Sequence, residues 1–276
     1  MSMPVLIVKQ LSVSLPTATG TFQILDNINF ALSPQTLTAI VGESGCGKTT
    51  LCKTLLGLLN PKFKIEGNLT LTNAAGTTIH FDLNQPGALN AIRGRRIGLL
   101  FQEPTSALNP VLKIGRQLSD ALLFPDQKEC INLLEQVGFD EPDRITCSYP
   151  HELSGGQAQR AALALALAGR PEILIVDEPA TALDSIAREE FFDLMHQLQT
   201  SSGSTVLMVT HDWRFLAKMA AQLIVMHSGR IVETGSPQAI LRQPAHPYTR
   251  KLLEIQRAIR LGQWPEEVLL SNDKWS

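Results

Sequence analysis

The stretch Gly42-Glu43-Ser44-Gly45-Cys46-Gly47-Lys48-Thr49 constrains this chain more than any other. Its spacing is G-x-x-x-x-G-K-[ST]. It follows the apolar run Leu37-Thr38-Ala39-Ile40-Val41 and leads into Leu51, Leu55, Leu58 and Leu59, which share one helical face. A strand that passes through such a loop into a helix turns backbone N–H groups inward and sets the positive end of a helix dipole behind them. That arrangement cradles phosphate oxygens, so Gly42 to Thr50 is the expected ATP-binding loop. In it Lys48 reaches the β- and γ-phosphates and the Thr49 hydroxyl ligates Mg²⁺. Cys46 fills a variable slot and reads as spacing, not as a redox thiol. Pro61 is expected to close the helix.

The pattern along the chain predicts an α/β fold. Leu11, Val13 and Leu15 alternate with Ser12 and Ser14 as in a half-buried strand, and a second strand is expected over 27–32. Residues 69–83 alternate around a turn at Ala75-Gly76, which predicts an antiparallel hairpin. Ile97 to Phe101 reads as another strand. From Lys113 to Gly138 the periodicity is helical, and no strand is evident before Ile173, which predicts a helical insertion. Strands at 173–176 and 205–209 then alternate with helices at 185–198 and 215–221, the pattern of a mainly parallel sheet wrapped by helices. A late hairpin is expected around His227-Ser228-Gly229-Arg230, and 244–276 reads as helical.

Two further motifs carry chemistry. Ile173-Leu174-Ile175-Val176-Asp177-Glu178 delivers two acids at the carboxyl end of an apolar strand, where parallel sheets bind ligands. Asp177 is placed to hold Mg²⁺ through water, and Glu178 to orient and polarise an attacking water. Leu153-Ser154-Gly155-Gly156-Gln157 precedes an alanine- and leucine-rich helix; Ser154 is a good N-cap, and the two glycines bare backbone N–H groups. This is a second phosphate-binding helix end, and one nucleotide does not need two.

Composition excludes other classes. With 24 basic and 26 acidic residues and no long basic run, nothing supports a nucleic-acid partner. Cys46, Cys52, Cys130 and Cys147 form no C-x-x-C pair and the six histidines show no H-x-x-x-H spacing, so reduced thiols in a cytosolic protein are expected and a zinc or iron–sulfur site is not. No signal-peptide pattern and no apolar stretch of about 18 residues occur, so a membrane role is expected to come through partners.

Leu153 to Gln157, with Ser154 23 residues ahead of Asp177, resembles the signature of the ABC ATPases. Other motifs follow in that family's order. Gln102, after the strand at 97–101, resembles the Q-loop glutamine that senses Mg²⁺ and the membrane partner. Ala182-Leu183-Asp184 resembles the D-loop, and His211 in Thr210-His211-Asp212 resembles the switch histidine that contacts the γ-phosphate. The resemblance implies a P-loop NTPase core with an N-terminal antiparallel β subdomain and an inserted helical subdomain. The ATPase domain is expected at 4–255, the insertion at about 103–158 and a short tail at 256–276. It also implies that ATP sits between the loop of one cassette and the signature of a second, so that Ser154, Gly155, Gly156 and Gln157 serve a partner's nucleotide. Phe22 is the aromatic candidate to stack on adenine.

Gln102 to Pro110, Gln-Glu-Pro-Thr-Ser-Ala-Leu-Asn-Pro, and His246 to Leu253, His-Pro-Tyr-Thr-Arg-Lys-Leu-Leu, are similar to bacterial peptide and nickel importers. That subfamily implies a homo- or heterodimer of cassettes, two integral-membrane permeases, an indirect solute-binding protein and a place on the cytoplasmic face of the inner membrane. The lack of a cysteine-bearing C-terminal extension tilts the expected cargo toward nickel or a metallophore. An exporter cassette is the nearest alternative, followed by a non-transport ABC ATPase and, without need of the signature, a nucleotide kinase.

Overall fold

The computed structural model describes residues 3–181 and 183–260. The N-terminal part is built from strands β1 (Leu6–Thr17) and β2 (Gly20–Leu32) and the later strands β4 (Lys64–Thr72) and β5 (Thr78–Asp82). These make an antiparallel sheet of order β2-β1-β4-β5. β2 is longer than the segment expected at 27–32, because its first half is polar and exposed and carries no alternating signal. In β1, Val8 and Leu11 are three residues apart yet both buried. Gln10, at φ 53°, lies where the register with both neighbouring strands shifts, and the bulge returns Leu11 to the core face.

The second sheet has the order β10-β9-β3-β8-β7-β6, with β3 (Leu37–Val41), β6 (Ile97–Leu100), β7 (Ile173–Asp177), β8 (Thr205–Val209), β9 (Gln222–His227) and β10 (Arg230–Gly235). All neighbours are parallel except the β9–β10 hairpin. Its central strands are buried on both faces, which is why they read as unbroken apolar runs. Ile40, Ile173, Ile175, Leu207 and Val209 face a core shared with the antiparallel sheet and helix α1 (Lys48–Leu55). Ala39, Val41, Leu174, Val176, Val206 and Met208 face a second core made with the remaining helices. The phosphate loop therefore leaves the carboxyl end of β3 in the middle of the sheet, held between two cores.

Helix α1 stops at Leu55, short of Pro61. Gly57, at φ 62°, ends it in a left-handed turn before proline is reached. Between β6 and β7 the chain forms α2 (Pro104–Ala107), α3 (Ile114–Ala121), α4 (Gln127–Gln136), α5 (Pro142–Cys147), a single 3₁₀ turn and α6 (Gly155–Leu167). After β7 come α7 (Ser185–Ser202), α8 (Trp213–Met219), α9 (Pro237–Arg242) and α10 (Pro247–Arg260). α10 crosses residue 255, where the sequence reading ends the ATPase domain. Residues 261–276 of the expected tail and Ala182 of the expected D-loop lie outside the described residues. All four cysteines are free, and no described helix is long and apolar enough to cross a membrane.

Candidate functional site

Two glycines of the loop sit where an added side chain would collide with its neighbours. Gly42 has φ 155°, and a Cβ there would lie 2.2 Å from the Met226 carbonyl oxygen at the end of β9. Gly47, the N-cap of α1, has φ 105°, and its Cβ would lie 2.6 Å from Leu25 of β2. The loop is thus pressed between the two sheets. The first turn of α1 carries no acidic residue and no side-chain cap, so no side chain competes for its N–H groups.

Lys48 is buried, and its Nζ donates to the Gly42 and Glu43 carbonyls at 2.8 Å each. Burial pushes the Cys46 thiol up, against the pull of Lys48, so it holds its proton at neutral pH and fits its reading as a spacer. At the end of β7, Asp177 is 5% exposed. Burial raises its pKa above the usual carboxylate range, partly offset by a hydrogen bond from the Thr49 side chain. Its Oδ1 is buried with no partner among the described residues. A buried, unpaired carboxylate oxygen beside a threonine hydroxyl is the donor set a hard divalent cation takes. Mg²⁺ therefore fits this corner of the loop.

The next residue, Glu178, takes φ 46°, a left-handed conformation that costs a side-chain-bearing residue energy and re-aims it. Its N–H donates to the Val209 carbonyl at 2.8 Å, tying the ends of β7 and β8. Its Oε1 lies 2.8 Å from His211 Nε2, and Thr181 Oγ1 donates to its Oε2 at 3.4 Å. The expected water-orienting acid and the expected γ-phosphate contact thus form one hydrogen-bonded pair. Sequence reading missed it, since 33 residues separate the two. Gln102 is exposed just beyond β6. Phe22 is 64% exposed on β2, three residues before Leu25, the neighbour of Gly47.

The second helix end is also built. Ser154 accepts from Gln157 N–H at 3.3 Å while Gln157 Oε1 accepts from Ser154 N–H at 3.0 Å, a reciprocal cap on α6. Asp184 caps α7, accepting from Ile186 and Ala187 N–H at 3.0 and 2.9 Å. Ser154, Gly155, Gly156, Gln157 and Asp184 line one cleft of about 720 Å³. No residue of 42–50 lines it. The two helix ends expected to bind phosphate therefore do not share that cavity.

Sequence reading used His246-Pro247-Tyr248 only as a family pattern and missed its contact with the loop. Tyr248 hydroxyl accepts from Glu43 N–H at 3.0 Å. A contact across 205 residues leaves no local signal.

Residues 25–181 match the family model described as ABC transporter. The oligopeptide transport ATP-binding protein of Lactococcus lactis subsp. cremoris is 38% identical over 256 residues, covering 89% of this chain and 73% of that protein. The dipeptide transport ATP-binding protein of Bacillus subtilis is 38% identical over 258 residues, covering 90% and 76%. Among solved structures, a dimeric post-hydrolysis state of an ATP-binding cassette bound to ADP and Pi superposes with a TM-score of 0.71 at 27% identity, over 84% of this chain and 98% of that one. A cassette from Clostridium perfringens, part of an ABC transporter complex, gives 0.70 at 26% identity, over 94% and 97%.

Proposed function

Because the chain belongs to the ABC transporter family of ATPases, we propose that it is the ATP-hydrolysing subunit of a bacterial importer that takes up peptides through partner membrane permeases. The observation that carries this reading is that one chain holds two glycine-rich helix ends, the loop at 42–50 and the capped end at 154–157, and that the loop contributes no residue to the cleft lined by 154–157. Such a chain completes its ATP site with the signature of a second cassette.

In that composite site the N–H groups of Gly45 to Thr50 hold the phosphates and Lys48 neutralises them. Thr49, Asp177 and Gln102 would hold Mg²⁺, which would supply charge neutralisation at the phosphate oxygens. Glu178 orients the attacking water and takes up its proton, and His211 fixes the Glu178 carboxylate and turns toward the γ-phosphate. Phe22 offers its exposed ring to adenine. Ser154, Gly155, Gly156 and Gln157, with Asp184 behind them, meet the partner's nucleotide. Catalysis is then positioning and charge stabilisation, with no covalent intermediate.

Val111, Leu112, Leu123 and Phe124, all large and exposed, fall in the helical insertion that follows Gln102. Apolar exposure of that kind supports a face covered by permeases, at the cytoplasmic side of the inner membrane. The ATPase domain is assigned to 4–255, with the insertion at about 103–158. The similarity to oligopeptide and dipeptide transport ATP-binding proteins favours a peptide over nickel or a metallophore as cargo, and a solute-binding protein delivers it. An exporter remains the second reading, opposed by the patterns at 102–110 and 246–253.

Three measurements test the proposal. Lys48→Ala abolishes ATP binding, and unchanged affinity removes the loop assignment. Tagged protein co-purifies with two polytopic membrane proteins, and its ATPase responds to a solute-binding protein; association with ribosomes or DNA instead rules out transport. A strain lacking the subunit loses uptake of labelled dipeptide and keeps uptake of labelled Ni²⁺; the opposite pattern reassigns the cargo.

A further inference from the structure

The peptide unit joining Gly42 and Glu43 is gripped from both sides. Its carbonyl oxygen accepts from Lys48 Nζ at 2.8 Å. Its N–H, on Glu43, donates to the Tyr248 hydroxyl at 3.0 Å. Lys48 also reaches the next carbonyl, that of Glu43, at 2.8 Å. The orientation of this one peptide plane therefore sets where the buried ammonium docks. Gly42 cannot adjust it freely, since its α-carbon is packed against the Met226 carbonyl at the end of β9.

Tyr248 is itself held in place. Its ring stacks on His227, the residue after Met226, with centroids 4.0 Å apart and planes inclined by 30°. Its N–H donates to His246 Nδ1 at 3.2 Å, and Ala245 and His246 N–H groups donate to the Glu233 carboxylate on β10 at 2.8 and 3.1 Å. Arg250 closes the segment by donating to the Pro244 and Ala245 carbonyls at 3.0 Å each. The start of α10 is thus a pinned strap across the β9–β10 hairpin, and it meets the phosphate loop through a hydroxyl that accepts from a backbone amide. Tyr248 is half-buried, and burial pushes its pKa up to about 12, so the hydroxyl stays neutral through the physiological range.

We infer that Tyr248 is a positioning residue for ATP binding. Through the Gly42–Glu43 peptide it presets the docking of Lys48, and the stacked His227 and the strap 244–250 hold it there. The inference rests on the reading of 42–50 as the ATP site. It ties nucleotide affinity to a helix that contributes no group to the phosphates.

The test uses the full chain. Tyr248→Phe keeps the stacked ring and removes the hydroxyl. Its Kd and KM for ATP should rise about fivefold, the effect of one neutral hydrogen bond, with kcat changed less than twofold. His227→Leu, which frees the ring, should weaken ATP binding in the same direction. The double variant should be no weaker than Tyr248→Phe alone, because both act on one hydroxyl. Wild-type affinity in a folded Tyr248→Phe protein overturns the inference, as does a loss confined to kcat or fully additive losses in the double variant. Lys48→Ala separates the two claims. If it abolishes ATP binding while Tyr248→Phe binds normally, only the role of Tyr248 fails; if it binds ATP normally, the loop reading fails too.

Discussion

Gly42→Ala should damage this protein more than the addition of one methyl group suggests. The added Cβ falls 2.2 Å from the Met226 carbonyl oxygen and 2.8 Å from Cys46 Sγ. The sulfur can rotate away, but the carbonyl is backbone of β9, where Met226 pairs with Ile231 of β10. Relief requires the loop or the strand to move, an overpacking cost of about 1–3 kcal/mol. The backbone at φ 155° adds about 1–3 kcal/mol for a residue with a side chain. Together the loss is about 4 kcal/mol, a large share of the ~5–15 kcal/mol that holds a domain folded. Gly45→Ala is the matched control. It has φ 82° and nothing within 4 Å of its Cβ, so it carries the backbone cost without the clash. Urea unfolding of both variants separates the terms, since the midpoint of Gly42→Ala should fall about 1 M below that of Gly45→Ala at an m-value of ~2–3 kcal/mol/M. Equal midpoints would refute the argument that contact with β9 demands glycine at this position.

Glu178→Gln should bind ATP with near-native affinity and lower kcat by about 10²-fold or more, the scale of a lost general base; near-normal turnover in single-turnover assays removes Glu178 from that role. Asp177→Asn should stabilise the nucleotide-free protein at neutral pH. The folded-state pKa of Asp177 is raised, so its contribution is most favourable below its unfolded value of ~3.9 and is lost as pH rises through the folded value. Thermal midpoints of the two proteins should therefore converge near pH 4 and separate above it; a gap that does not depend on pH contradicts the burial argument. Arg96→Ala breaks a two-pronged pair with Glu172, at 3.0 and 2.9 Å, that joins the starts of β6 and β7. It should cost about 1–2 kcal/mol in a urea titration while leaving ATP affinity unchanged. EDTA should stop hydrolysis and leave measurable ATP binding, because Lys48 and the loop amides remain.

What was legible in the sequence follows physical lines. The parallel strands were plain because burial on both faces makes them continuous apolar runs, and the loop was plain because glycine and lysine at that spacing fit few other structures. β2 was read short because its exposed half lacks alternation, and α1 was read long because a left-handed Gly57 stops a helix as firmly as proline. α9, six residues long, carries too few turns to show a period. Residues at the site were named one by one, but their contacts were not. Glu178 meets His211 because β7 and β8 are neighbours in the sheet, and Glu43 meets Tyr248 because α10 returns to the loop that follows β3. The leaning toward metal cargo came from the length of the tail, which has no physical connection with what a cassette helps to move.

The reciprocal cap on α6 has a kinetic consequence. Ser154 and Gln157 satisfy each other within one chain, so in the proposed composite site this end of α6 needs no second chain to form it. Little ordering then remains to be done on encounter, and turnover by the purified subunit should be limited by collision. Its initial rate should rise with the square of protein concentration until pairs saturate. Anchoring two cassettes on one pair of permeases would replace that dependence with a fixed effective concentration, near the millimolar range for short tethers, and the rate per chain would then cease to depend on dilution.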